Sequence, residues 1–305
     1  MSNLRKAIEE IQFLGDILFD EPLKSHTSFE VGGPADVYMR PLCETDVAAV
    51  MQLGGEYPVF ILGAGANILV SDLGVRGIVL DMRRLDRISV NGVSVSAYSG
   101  ASISDVSRFA AEHGLAGLEF IYSMPGSVGG SVWMNARCYG RSVADVIGGV
   151  DIIDGQGNRR RVSPAKEEFG YKISPFQREQ WAILQVDFEL RKGNREDIQT
   201  AMDENHRDRE KKGHFAAPSV GSIFKNDRRF GMPTGQLIDG LGLRGMEEGG
   251  AQVSPAHGNI IINNGGATAG DILKLIRFIE ARVSDAYGFE LEREVRLAGD
   301  WGKEA

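Results

Sequence analysis

Apolar residues in this chain fall into short alternating or continuous runs punctuated by glycine, with only a few stretches long enough for helices. Val59–Leu62 and Ile78–Asp81 are compact apolar runs of strand length, the first ending at Gly63-Ala64-Gly65-Ala66-Asn67. Ile88–Ala97 alternates around Asn91-Gly92, which predicts a hairpin turning at that pair. A second hairpin is expected over Asp151–Val162, a half-buried strand over Ala182–Leu190 and a buried strand over Asn259–Asn263. His26–Pro41 reads as extended chain interrupted by Gly32-Gly33-Pro34.

Helical spacing appears in fewer places. Leu4–Phe13 is amphipathic, and Thr45 is the expected cap of a helix running to Leu53. Ser104–His113 places Val106, Phe109 and Ala110 on one face, with Gly114 closing it. After Thr268 and Asp271, either of which can start a helix, Ile272, Leu275, Ile276, Ile279 and Val283 share a face until Gly288. Lys192–Gly213 is dense in both charge signs and reads as a solvated helix leading into another domain.

Composition narrows the class. With 305 residues, 42% hydrophobic and 25% charged, the chain is long enough for more than one well-formed core. A net charge of -8 disfavours general attraction to nucleic acid or anionic membranes, so an anionic ligand must be held by local donors. Cys43 and Cys138 have no metal-like spacing, and the five histidines show no paired ligand spacing on a helix, so no metal site is expected. The N-terminal stretch lacks the apolar core of a secretion signal, which leads us to expect a cytoplasmic protein. Glycine is the outlier at 39 residues, clustered between strand-like runs, where backbone amides can face a ligand.

Two glycine loops and one hydroxyl-bearing segment carry the candidate chemistry. Gly63 and Gly65 begin a dinucleotide-type pattern, but Ile68 stands where its third glycine belongs and no helix follows. A plain turn and a phosphate cradle both satisfy what remains. Ser123–Gly140 contains Pro125-Gly126-Ser127 and Gly129-Gly130, where little side-chain bulk separates a flat ligand from the backbone; Trp133 and Met134 are expected in the core. In Pro218–Asn226, Ser222 follows a glycine and precedes Lys225 and Asn226, a grouping suited to an anionic ligand beside an exchangeable proton.

Taken in order, PLKSHTSFEVGGPADV, GAGANILVSDLGVRGIVL, LEFIYSMPGSVGGSVWMNA, SVGSIFKN, GGAQVS and FELEREVRLAG resemble the UDP-N-acetylenolpyruvoylglucosamine reductase family of peptidoglycan precursor synthesis, in its short form without an extra substrate-covering loop. The resemblance implies an α+β chain: a flavin-binding fold of the PCMH/VAO type made of two α+β subdomains, over 1–84 and 85–200, then a substrate-binding α+β domain over 201–305. It implies NADPH as reductant and FAD as cofactor, held noncovalently because Ala66 and Asn67 offer no tethering histidine. The partners it implies are an enolpyruvyl ether of a UDP-sugar and NADPH, with a monomer or weak oligomer expected.

Residue by residue, the resemblance assigns Ser222 as proton donor and Glu294 as its catalytic partner. Lys172 stands where the family pattern has an arginine that polarises the substrate carboxylate. It assigns Gly63, Ala64, Gly65, Ala66, Asn67, Pro125, Gly126, Ser127, Gly129, Gly130, Asn135 and Arg296 to the cofactor, and Tyr171, Lys225 and Asn226 to the substrate. Arg296 is expected to share a strand and a face with Glu294. Arg137-Cys138 departs from the family's small residues, which leaves the arginine either crowding the pocket or facing solvent and the thiol inert. The alternatives are another noncovalent flavin-fold oxidoreductase, or a flavin- or nucleotide-binding relative without catalysis.

Overall fold

The computed structural model describes residues 2–302, and the chain groups into two compact units. One holds Asp36–Ala64 and Gly77–Arg207 with the N-terminal segment up to Glu21. The other holds Pro22–Ala35, Gly65–Arg76 and the chain from Asp208 onward.

The first unit is built on two sheets. A four-stranded sheet runs in the order Asp16–Pro22, Pro34–Arg40, Val75–Asp81, Val59–Leu62, its last pair parallel. Val37, Met39, Ile78 and Leu80 on its strands pack against Leu4 and Ile8 of the Ser2–Glu10 helix and Val47, Val50 and Met51 of the Glu44–Leu53 helix. That second helix begins one residue before the expected cap. Its N-cap is Cys43, which makes no capping bond through its side chain, and Thr45 lies in the first turn with its hydroxyl 2.9 Å from the Cys43 thiol. Asp46 in the first turn instead ties the helix start to its surroundings, accepting the Leu42 and Leu14 amides at 2.8 Å each.

The second sheet is five-stranded and antiparallel: Arg159–Val162, Ile147–Ile153, Ala182–Glu189, Ser94–Tyr98, Ile88–Asn91. The alternation read in Ala182–Leu190 puts Leu184, Val186 and Phe188 inside at 0% exposure and makes this the central strand. In the Ile88–Tyr98 hairpin, Asn91 pairs with Ser94, so the turn is centred on Gly92-Val93 rather than on Asn91-Gly92. Helix Ile103–Glu112, capped by the Ser102 hydroxyl on the Asp105 amide, buries Ile103, Val106 and Ala110 in the same core.

The second unit has a small antiparallel sheet, Glu247–Glu248, Ala251–Val253, Ile261–Asn263, covered by helix Ala269–Tyr287. Thr268 and Asp271, both expected as starts, form one reciprocal capping box, and Gly288 ends the helix at φ 68°. The grouping differs from the consecutive segments 1–84, 85–200 and 201–305. Strand Arg296–Ala298 pairs in parallel with Ile68–Val70, and the Asn263 amide donates to the Phe29 carbonyl at 2.9 Å. These bonds draw Pro22–Ala35 and Gly65–Arg76 into the C-terminal unit.

Candidate functional site

In the second unit the Ser222 segment lies in an irregular ladder with a neighbour on each side. On one side Ser222 bridges Ile260, and the Ile223 amide donates to the Asn259 carbonyl at 2.9 Å. On the other, Phe224 bridges Arg293, the Lys225 amide donates to the Glu292 carbonyl at 2.8 Å, and the Glu294 amide donates to the Ile223 carbonyl at 2.7 Å. Ser222 and Glu294 are thus carried by adjacent segments, Glu294 bonding to the residue that follows Ser222. The anchors are apolar: Ile223 and Phe224 are fully buried and Val295 is 2% exposed, while Ser222 and Glu294 are half-buried.

The ladder continues into the glycine loop. The Arg296 amide donates to the Asn67 carbonyl at 3.0 Å, and the Asn67 side-chain amide donates to the Glu294 carbonyl at 3.1 Å. Glu294 itself lies outside the strand, which is only Arg296–Ala298, with a bend at Val295. Strict two-residue alternation therefore does not relate Glu294 to Arg296. The Val295 amide leans on the same Ile223 carbonyl as Glu294, at 3.2 Å, and that shared acceptor turns the chain.

Lys225 and Asn226 are both engaged. The Lys225 ammonium pairs with the exposed Glu292 carboxylate, and the Asn226 side-chain oxygen accepts the Thr234 amide at 2.9 Å. The Thr234 hydroxyl donates to the Lys225 carbonyl at 2.8 Å, closing the base of the intervening loop. Sequence reasoning missed Asn259. Only 2% exposed, it accepts the Phe224 amide through its side-chain oxygen at 2.9 Å and donates its side-chain NH₂ to the Phe224 carbonyl at 2.8 Å. It acts as an extra strand residue for the Ser222 segment. The available signal was a polar residue at the head of an apolar run, Asn259–Asn263. His214, in the loop leading to Ser222, is held near neutral charge: burial, then Arg209, His257 and Lys212, lower its pKa to about 4. Burial also lowers His257.

In the first unit, a Cβ at Gly63 would lie 2.2 Å from the Ser127 hydroxyl, so a larger residue there would have to displace that hydroxyl. The Ser123–Gly140 segment is not all loop. Val128–Trp133 forms a short helix in which the Ser127 side chain caps the Gly130 amide, while Val128 and Val132 sit in the core at 0% exposure. Trp133 packs against the same core, and Met134 caps the helix end. The Asn135 side chain is engaged within the protein: its NH₂ donates to the Gly170 carbonyl at 2.8 Å and its oxygen accepts the Ala144 amide at 3.2 Å. Tyr171 and Lys172 occupy a tight turn closed by reciprocal Gly170–Ile173 bonds, with the Lys172 ammonium 5.9 Å from the Tyr171 ring centre. Arg137 is exposed, and the half-buried Cys138 thiol donates to the Phe120 carbonyl at 2.7 Å.

Each unit therefore carries its own part of the residue set. Gly63, Ala64, Pro125, Gly126, Ser127, Gly129, Gly130, Asn135, Tyr171 and Lys172 belong to the first unit. Gly65, Ala66, Asn67, Ser222, Lys225, Asn226, Glu294 and Arg296 belong to the second. Among the described residues no cluster of His, Cys, Asp and Glu is arranged to hold a metal, and no helix is long and apolar enough to cross a membrane.

Residues 213–298 match the family model for the UDP-N-acetylenolpyruvoylglucosamine reductase C-terminal domain, and residues 35–163 match that for an FAD binding domain. The UDP-N-acetylenolpyruvoylglucosamine reductase of Treponema denticola is 40% identical, covering 94% of this chain and 95% of its own length. That of Clostridium botulinum is 39% identical over 98% of this chain and 97% of its own. The crystal structure of the Thermus caldophilus UDP-N-acetylenolpyruvylglucosamine reductase superposes with a TM-score of 0.79 at 31% identity, covering 94% of this chain and 100% of that one.

Proposed function

The chain belongs to the UDP-N-acetylenolpyruvoylglucosamine reductase family, and from that premise we propose which of its residues carry the reaction. It is an FAD-dependent oxidoreductase that reduces the enolpyruvyl ether of UDP-N-acetylglucosamine to UDP-N-acetylmuramate at the expense of NADPH, a step of peptidoglycan synthesis. The α+β architecture is the expected one, with the FAD-binding domain match falling largely on the two sheets of the first unit.

FAD, when bound, supplies the hydride that it receives from NADPH. The glycine loops suit such a ligand: Gly126 has φ 146°, a backbone conformation that residues with a side chain rarely adopt, and a Cβ there would be in ordinary contact with the Ser131 hydroxyl at 3.6 Å. We assign Gly63–Asn67, Pro125–Ser127, Gly129 and Gly130 to its backbone contacts and Arg296 to its edge. Asn135 we remove from that set, since both ends of its amide are already committed within the protein.

Hydride adds to the terminal methylene carbon of the enol ether, the double-bond electrons move toward the carboxylate, and the ether-bearing carbon then takes a proton. Two things are needed, a positioned acid and a charge to hold the enolate. In our reading Ser222 gives the proton from its hydroxyl and Glu294 assists it. Lys172 takes the carboxylate charge, with less geometric definition than a guanidinium fork provides. Tyr171, Lys225 and Asn226 bind the nucleotide sugar, whose anionic groups compete with Glu292 for the Lys225 ammonium. The observation that supports this reading is the bond from the Glu294 amide to the Ile223 carbonyl, which sets side by side the segments carrying a serine and a glutamate 72 positions apart by subtraction of 222 from 294. The free thiols Cys43 and Cys138 support a reducing, cytoplasmic setting, and we take a monomer or weak oligomer as the working form.

Purified protein is yellow in this reading; NADPH bleaches it and the enolpyruvyl nucleotide restores the colour. Ser222→Ala is expected to bleach normally yet to form product at least about 100-fold more slowly. Wild-type product formation by Ser222→Ala would remove the serine from the proton transfer.

A further inference from the structure

The turn that carries Lys172 is unusual in its backbone. Lys172 has φ 61°, a left-handed conformation that residues with a side chain adopt at a cost, and glycine would be the ordinary occupant. Strain of this kind persists only where the surroundings over-determine it. Here they do so through side chains. Gln177 donates one N–H to the Lys172 carbonyl at 3.1 Å and another to the Trp133 carbonyl at 2.7 Å. The fully buried Ser174 donates its hydroxyl to the same Trp133 carbonyl at 2.7 Å. Asn135, 5% exposed, reaches the Gly170 carbonyl at the other end of the turn.

Trp133 is the last residue of the short helix whose start is formed by Ser127, Gly129 and Gly130. The bonds from Gln177, Ser174 and Asn135 therefore tie the Lys172 turn to the end of the helix that begins at the glycine segment. All of these groups lie in the first unit.

We infer that Gln177 and Asn135 are positioning residues for the reaction: they clip the Tyr171–Lys172 turn to helix Val128–Trp133 and so fix where the Lys172 ammonium meets the substrate carboxylate. This rests on the role given to Lys172 above. Neither residue touches substrate or cofactor; each acts through the turn. A small displacement of a charged group from its productive position can cost as much as about 100-fold in rate. Loss of one of several clips is expected to cost about 10-fold, a lesser displacement.

The test separates the two half-reactions by rapid mixing, using the FAD-loaded protein. Gln177→Leu and Asn135→Ala are each expected to slow reoxidation by the enolpyruvyl nucleotide about 10-fold, with FAD content and the rate of bleaching by NADPH within about 2-fold of wild type. In a Lys172→Ala background the same substitutions should add no further loss, because the group they position is gone. Hydrogen exchange of the Ile173 amide should accelerate in both variants while the Ala182–Glu189 strand stays protected. Unchanged reoxidation in these variants beside a slow Lys172→Ala overturns the inference alone. So does an equal further loss in the Lys172→Ala background, or a fall in FAD content, either of which marks a general structural or flavin-binding role. Wild-type reoxidation by Lys172→Ala itself overturns the role of Lys172, and the inference falls with it.

Discussion

Lys172 and Ser222 are held by opposite means. Ser222 sits in an extended ladder, bonded mainly backbone to backbone on both sides, with Ile223 and Phe224 buried beneath it. Lys172 sits at the tip of a left-handed turn whose conformation is enforced by the amides of Gln177 and Asn135. A ladder position tolerates most side-chain changes around it, because the backbone bonds survive them. A clipped turn stores strain and loses its geometry when a clip is removed. The side chain of Asn259, which makes both bonds to Phe224 in the ladder, behaves as backbone.

The comparison can be broken most decisively at that asparagine. Asn259→Leu leaves both polar groups of Phe224 buried without partners, at about 1–3 kcal/mol each, so a stability loss of roughly 2–6 kcal/mol is expected in denaturant titration. A loss below about 0.5 kcal/mol would show that the ladder holds without it. Next is the charge on the turn. Lys172→Ala should cut turnover about 100-fold, by analogy with removing a single stabilising donor, whereas Lys172→Arg should match or exceed the native rate. Equal turnover in all three proteins would remove Lys172 from the reaction.

Smaller in size, but sharper as a contrast, is Lys172→Gly. Relief of left-handed strain is worth about 1–2 kcal/mol, offset by about 0.5–1 kcal/mol of extra freedom in the unfolded chain. The variant should be more stable than wild type by roughly 0.5–1 kcal/mol while being as inactive as Lys172→Ala. A destabilised Lys172→Gly would mean that the turn is not strained. The smallest effect concerns pH. His214 is neutral in the folded protein down to about 4, whereas the unfolded chain takes up its proton near the ordinary value of about 6.5. The unfolded state thus binds more protons between these values, and the stability that His214 contributes falls as pH drops from about 6.5 toward about 4. His214→Gln should flatten the pH dependence of stability in that window; an unchanged slope would show that His214 is not the group involved.

Much of the fold was legible from local pattern. Val59–Leu62 begins and ends as read, Ala182–Leu190 exceeds the observed strand by one residue, and the helix after Thr268 runs to Gly288 as its apolar face requires. These elements are decided by alternation, periodicity and caps that act over a few residues. The helix Val128–Trp133 was not legible, because VGGSVW has poor helix propensity. It forms because Val128 and Val132 both reach the core and Ser127 caps its start. The strand expected to hold Glu294 and Arg296 together was misjudged for a similar reason: a single distant carbonyl, that of Ile223, accepts both the Glu294 and Val295 amides and bends the chain between them.

Ordered motifs along the sequence were enough to indicate the family and the cofactor, and to propose a hydroxyl, a carboxyl and a cation for the reacting groups, because the chemistry calls for such groups whatever surrounds them. Tertiary structure alone decided that Pro22–Ala35 and Gly65–Arg76 join the C-terminal unit, that the Asn135 side chain bonds to the Gly170 carbonyl, and that Lys172 is strained. Each of those outcomes depends on hydrogen bonds between segments far apart in the chain. Such bonds form wherever packing leaves a buried donor facing a buried acceptor, and neither propensity nor periodicity records which partners will meet.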